Sequence, residues 1–238
     1  MKKSILLLLA FIVGFTGYSQ QTGSFSTSID FNGGTRTISV FVPNDYDENN
    51  SYQLMIGLHG MGDGGNNYKS ALLNSLDFQD VFPNTILICP NGNLQENGMF
   101  YSSNNGEYII DSALSYAQTH YNIDNNEIIL QGFSLGAESA LRFGLDYPGK
   151  FKGLILNTPA IQGVKIARNE SNNYTFNYQN ANQIPIIITR GDEDFLYEEP
   201  TNIAVAKLAE NMGIHSSLGY LSPLEMEIKL RGKNIKVA

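Results

Sequence analysis

The chain has 238 residues, 42% of them hydrophobic and 16% charged, with a formal net charge of −8 at pH 7. That length and apolar content suit one ordinary globular domain and exclude disorder or collagen-like repetition, while the acidic excess excludes charge-driven binding of nucleic acid. Cys89 is the one cysteine, so no disulfide can form within the chain, and its setting in the apolar run TILICP marks a core residue.

The first residues, MKKSILLLLAFIVGFTGYSQQ, place Lys2 and Lys3 before an apolar run from Ile5 to Phe15 that gives way to small and polar residues. This is the layout of a secretory signal peptide. The run is short of the roughly 20 apolar residues that cross a bilayer, and no cysteine follows it to carry a lipid anchor. A leader over residues 1–20, cleaved near Ser19 to Gln21, is therefore expected, with export to the periplasm or the exterior and no membrane association afterwards. Residues 1–20 hold two lysines and no acid, so cleavage takes the charge from −8 to −10.

Beyond the leader, GSFSTSIDF and RTISVFVP alternate apolar and polar residues around Asn32-Gly33-Gly34, which predicts an antiparallel hairpin. YQLMIGLHG follows as a strand buried on both faces. A helix over about Tyr68 to Phe78, the strand NTILICP, the helix YIIDSALSYAQTHY, the strand NEIILQGFS and the helix GAESALRFGLDY come next. FKGLILN is a strand, residues 162–183 are polar and read as a cap or a solvated loop, IPIIITR is a strand, and a helix covers about Thr201 to Met212. Strands alternating with helices predict a mostly parallel central sheet with helices on both faces and an N-terminal antiparallel hairpin, the layout of the α/β-hydrolase fold.

Sites in such sheets lie where strands turn into helices, and three of those turns carry reactive residues. Gly132-Phe133-Ser134-Leu135-Gly136 matches G-x-S-x-G between a strand and a helix, a nucleophile elbow whose flanking glycines relieve crowding. The plain alternative for Ser134 is a helix N-cap. The N–H of Leu135, at the helix N-terminus, suits a developing oxyanion. GLHGMGDGGNN is the second turn: Gly60 and Gly62 let the chain bend so that the N–H of Met61 joins the oxyanion hole. In the third, ITRGDEDFLYEEP, an acid orients the catalytic imidazole; Asp194 is preferred, with Asp192 as the alternative. Phe100 and Tyr101 either line the pocket or sit in a surface loop.

Residues 35 to 213 resemble the secreted α/β-hydrolase esterases, the group of polyhydroxybutyrate depolymerase-like, feruloyl esterase-like and phospholipase/carboxylesterase families. LHGMGDGG resembles their oxyanion loop, QGFSLGAESAL their elbow and IPIIITRGDEDFLY the strand and loop bearing their acid. The resemblance implies a Ser, Asp and His triad, two backbone donors, a small or polymeric ester as substrate, and neither metal nor cofactor.

The histidine is the difficulty, because the family order places it after the acid, beyond one more strand and the last helix. Of the chain's three histidines, His59 lies in the oxyanion loop, where the family residue packs; it is a candidate for a substitute base. His120 ends a helix at the far edge of the sheet and is excluded. His215 follows the helix ending near Met212 and also starts at the far edge. From residue 214 on, IHSSLGYLSPLEMEIKLRGKNIKVA carries four basic and two acidic residues, and HSSLGYLSPLEME resembles the extreme C-terminus of insertion-sequence transposases with an integrase-type core. It carries none of their metal-binding carboxylates.

The expectation is thus an exported serine esterase of residues 21–213 whose final strand and histidine are missing or replaced by an atypical tail, 214–238. A binding protein or gene remnant on the same fold, or a small serine exopeptidase, are the alternatives. Interruption of the gene by a mobile element predicts an insertion-sequence remnant directly downstream in the DNA; sequencing that finds none removes the fusion.

Overall fold

Period-two alternation pairs Gly23–Phe31 (β1) with Gly34–Val42 (β2) antiparallel, from Gly23 opposite Val42 to Phe31 opposite Gly34. The computed structural model to which these strands belong describes residues 20–31, 34–75, 78–92, 104–162, 176–190 and 198–212. β2 continues from the hairpin to lie antiparallel to Thr85–Pro90 (β4), with Ile38 opposite Pro90. The remaining pairings are parallel: β4 with Tyr52–Leu58 (β3), β3 with Ile123–Phe133 (β5), β5 with Gly153–Asn157 (β6), and β6 with Ile186–Thr189 (β7). The sheet order is β1-β2-β4-β3-β5-β6-β7, so the described structure is the mostly parallel α/β-hydrolase sheet with its N-terminal hairpin.

Alternate residues of the parallel strands feed two cores. On one face Leu54, Ile56, Leu58, Ile128, Leu130, Leu154 and Leu156 pack against helices Asn104–His120 (α3) and Leu135–Asp146 (α4), through residues such as Ile110, Ala113, Ala140 and Phe143. Ala204 and Leu208 of Glu198–Asn211 (α5) join the same core. On the other face Met55, Leu87 and Cys89 meet Tyr68 and Leu72 of Gly65–Ser75 (α1) and Phe78 of the short helix Phe78–Val81 (α2). Cys89 is free and fully buried, as a core cysteine should be. On that second face cover thins toward β7: Ile129 and Ile155 are half-buried, and Ile187, opposite Ile155, is 44% exposed.

Three boundaries differ from the sequence expectation. α1 begins at Gly65 rather than near Tyr68 and ends at Ser75, with Phe78 starting a separate turn. The entry is fixed by contact instead of propensity: the Gly65 N–H donates to Asn91 Oδ1 at 2.7 Å, and a Cβ there would lie 2.2 Å from the Cys89 carbonyl oxygen. β5 begins at Ile123, because Asp124, Asn125 and Asn126 continue the strand from the Tyr52–Ile123 pairing across a register shift. Within the polar stretch 162–183, Tyr178–Gln183 forms a 3₁₀ turn with Ala181 buried, anchored where Asn180 Nδ2 donates to the Leu145 carbonyl. Residues 1–19, with most of the expected leader, and the expected tail 214–238 lie outside the described residues. Among the described residues no helix is long and apolar enough to cross a membrane.

Ile56 is fully buried in β3 at the centre of the sheet. Ile56→Ala should cost about 2–5 kcal/mol of unfolding free energy, read as a lower midpoint in urea denaturation.

Candidate active site

The turn from β5 into α4 is a backbone built around missing side chains. A Cβ on Gly132 would stand 2.3 Å from the Gly136 carbonyl oxygen, and one on Gly136 would stand 2.1 Å from the carbonyl oxygen of Leu58 in β3. Both are main-chain obstacles that cannot turn aside. Between them Ser134 takes φ 54° and ψ −118°, a conformation L-residues rarely adopt and one that costs on the order of 1–3 kcal/mol. Ser134 occupies the N-cap position of α4, yet its side chain makes no capping hydrogen bond. An N-cap serine ordinarily has extended backbone and an Oγ bonded to the first turn, and Ser134 has neither feature. Its carbonyl instead receives the N–H groups of Ala137, Glu138 and Ala160, while the amide of Leu135, in the first turn, has no intrahelical acceptor.

The chain after β6 holds this turn in place. Asn157 accepts the Ser134 N–H through its carbonyl at 3.0 Å, and the Thr158 N–H donates to the carbonyl of Thr189 at the end of β7. Thr158 itself sits at φ 42°, and Thr201 of α5 donates its hydroxyl to the Pro159 carbonyl at 3.0 Å. Residues 157–160 therefore connect the serine turn to the strand that leads into Asp192 and Asp194. Beneath the turn, buried Tyr68 donates to Gln131 Oε1 at 2.9 Å, and Gln131 Nε2 donates to Asn157 Oδ1 at 3.2 Å. Burial pushes the Tyr68 phenol well above its usual pKa of 10, so it stays a neutral hydroxyl. Glu138, buried in the first turn of α4, accepts the N–H of Gln162, another residue at positive φ. None of these supports was identified from the sequence, where Asn157 is read only as the end of a strand.

The loop after β3 meets the serine turn directly. A Cβ on Gly60 would lie 3.2 Å from Ser134 Cβ and 3.1 Å from the Phe133 ring, so any side chain at residue 60 would crowd Ser134. Gly62 adopts φ 79°, a left-handed bend open to glycine. Met61 lies between them on a half-turn that leaves its side chain exposed. The loop is pinned to residues 91–92, which follow β4: Asn91 Oδ1 accepts from Gly65, and the Gly92 N–H donates to His59 Nε2 at 2.9 Å.

His59 is 1% exposed. With Nε2 accepting from Gly92, the proton resides on Nδ1, which donates to the Gly60 carbonyl at 2.7 Å. Both ring nitrogens are thus committed to holding the loop. Burial pushes the imidazole below its usual pKa of 6.5, against smaller upward effects of the Gly60 bond and the Asp63 charge. His120 closes α3, its Nδ1 at 2.9 Å from the Tyr116 carbonyl, with the length of β5 between it and Ser134.

The structure therefore brings together Ser134, Leu135, Gly60, Met61, Gly62, Gly132 and Gly136. Asp192, Asp194, Phe100, Tyr101 and His215 lie outside the described residues. Among the described residues no group of three or more His, Cys, Asp or Glu side chains could hold a metal ion.

Residues 30–218 match the family model Esterase. Among curated proteins, none matches the sequence. A ferulic acid esterase structure superposes with a TM-score of 0.62 at 18% identity, over 82% of this chain and 88% of that one. The S-formylglutathione hydrolase FrmB of Staphylococcus aureus gives 0.59 at 16% identity, over 83% and 88%. A thermostable esterase gives 0.58 at 22% identity over 80% of this chain, which spans about half, 52%, of that protein. At such identities the likeness is one of fold.

A buried imidazole that resists protonation links stability to pH. Between its depressed folded pKa and the unfolded value of 6.5 the unfolded chain binds more protons, so stability is full above 6.5 and falls as pH drops below it. Thermal unfolding across pH 5 to 8 should show this loss, and His59→Gln should flatten that part of the profile while lowering the melting temperature at pH 8.

Proposed function

The chain belongs to the Esterase family and is by family a carboxylic ester hydrolase; from this premise we propose that it is an exported serine esterase with Ser134 as nucleophile. The carrying observation is the strained Ser134, its Oγ not spent on a helix cap, set between the glycines of the elbow and against Gly60. Attack of Oγ on the ester carbonyl forms the C–O bond as the serine proton passes to solvent water, and the carbonyl oxygen becomes an oxyanion held by the N–H groups of Met61 and Leu135. Collapse breaks the ester C–O bond and expels the alcohol, which takes its proton from solvent, and water then cleaves the acyl-serine to release the carboxylic acid and restore the Ser134 hydroxyl.

The proton carrier is where this chain departs from the family pattern. His59 has both nitrogens engaged, His120 sits at the other end of β5, and His215 lies in the segment that resembles a transposase end. Asp194, with Asp192 as the alternative, would orient an imidazole that we do not assign. The proposal is therefore an impaired esterase, with turnover of about 10³ to 10⁴ over water supplied by the oxyanion hole and binding. The unassigned histidine also supports a second reading, a hydrolase fold that binds an ester without turning it over.

Hydrolysis of 4-nitrophenyl acetate by the purified chain, beside Ser134→Ala, separates the two. Slow turnover that vanishes in Ser134→Ala, together with fluorophosphonate labelling of Ser134, is the expected result. Identical rates and no labelling leave the binding protein.

A further inference from the structure

Glu138 places a carboxylate where charged groups are rare: it is 6% exposed, in the first turn of α4. The helix N-terminus favours a negative charge there, and the side chain has a specific task. Its Oε1 accepts the Gln162 N–H at 2.9 Å, while its own N–H donates to the Ser134 carbonyl at 3.1 Å. That carbonyl also receives the N–H of Ala137 within the helix and that of Ala160 from outside it, at 3.0 and 3.1 Å. The bonds from Ala160, Gln162 and Glu138 thus close a ring through Ser134, Glu138 and residues 160–162.

The segment that completes this ring does not hold its course by local preference. Thr158 sits at φ 42° and Gln162 at φ 63°, left-handed conformations that residues other than glycine keep only where their surroundings impose them. Thr189 and Thr201 secure its first part, at Thr158 and Pro159. Glu138 secures its end, one helical turn from Ser134.

The consequence for the site passes through one peptide unit. The Ser134 carbonyl and the Leu135 N–H belong to the same planar trans group and point in opposite directions, so whatever fixes the carbonyl also aims the N–H. An oxyanion donor is effective only when it is directed at the position where negative charge develops.

We propose that Glu138 is a positioning residue for ester cleavage: by holding Gln162, and with it the Ala160 to Ser134 bond, it aims the Leu135 N–H at the oxyanion. This rests on Ser134 being the nucleophile. Without the Glu138 oxygen Gln162 relaxes toward negative φ, Ala160 draws away from the Ser134 carbonyl, and the 134–135 peptide turns. The loss falls on the transition state, where the oxyanion forms, rather than on binding of the ester.

The test is kcat and KM of the full chain for 4-nitrophenyl acetate, with the rate of fluorophosphonate labelling at Ser134. It compares wild type, Glu138→Asp, Glu138→Gln, Ile56→Ala and Ser134→Ala, each below its melting temperature. The shorter aspartate side chain withdraws the carboxylate from Gln162, whereas the glutamine amide keeps an oxygen at full reach. Glu138→Asp should lower kcat about tenfold with KM within about twofold of wild type, and slow labelling to match. Glu138→Gln should keep most of both rates. Ile56→Ala, destabilised in the middle of β3, should keep the wild-type kcat, which separates aim from stability. Wild-type kcat in Glu138→Asp, a Glu138→Gln as slow as Glu138→Asp, or an equal loss in Ile56→Ala overturns the inference alone. Wild-type hydrolysis equal to that of Ser134→Ala, without labelling, overturns the reading of Ser134 and the inference with it.

Discussion

The first turn of α4 lies against the end of β3 at a distance that only hydrogen can occupy. Gly136 has no room for a Cβ before the Leu58 carbonyl, and Gly132 has none before the carbonyl of Gly136. Because α4 can approach β3 this closely, the chain has to reverse within one residue, and that residue, Ser134, is driven to positive φ. The same approach sets the helix N-terminus, with its unpaired amides and partial positive charge, beside the loop that leaves β3. Serine turn, helix terminus and the loop after β3 are thus three consequences of one backbone contact.

A strained turn persists only where its surroundings over-determine it. Here they do so by hydrogen bonds rather than by packing alone. The Ser134 amide and carbonyl are both tied to residues 157–160, which are in turn tied to Thr189 and Thr201. On the α1 side, buried Tyr68 and Gln131 and half-buried Asn157 run as a chain of hydrogen-bonded polar side chains under the turn. Such a chain is stable because its members are paired, and it fixes the spacing of β5 and β6 where Ser134 sits. His59 serves the loop after β3 in the same manner, as a neutral bridge between Gly60 and Gly92.

Cover is uneven across the sheet. The face that carries α3, α4 and α5 is closed, whereas the α1 face opens progressively from Ile129 through Ile155 to Ile187. Among the described residues β7 has a strand partner on one side only.

Much of this was legible in the residues. Period-two alternation gave the hairpin, apolar runs between helical patterns gave the parallel strands, and Gly132, Ser134 and Gly136 marked the elbow, because each signal is carried by neighbours in sequence. The entry of α1 was misplaced because Gly65 is held by Asn91 and crowded by Cys89, both more than twenty residues away. Asp124 and Asn125, near the start of β5, fall before the strand as read from the sequence, since their strand character comes from pairing beside Tyr52. Thr158 gave no signal, as a β-branched residue at positive φ is the reverse of what local preference allows. The sequence by itself determined the strand order along the chain, the glycine-flanked serine turn and the family. Tertiary structure alone decided which groups support that turn, that both nitrogens of His59 are spent on the loop, and that Phe133 remains exposed beside Ser134, because each depends on the approach of segments that are distant along the chain.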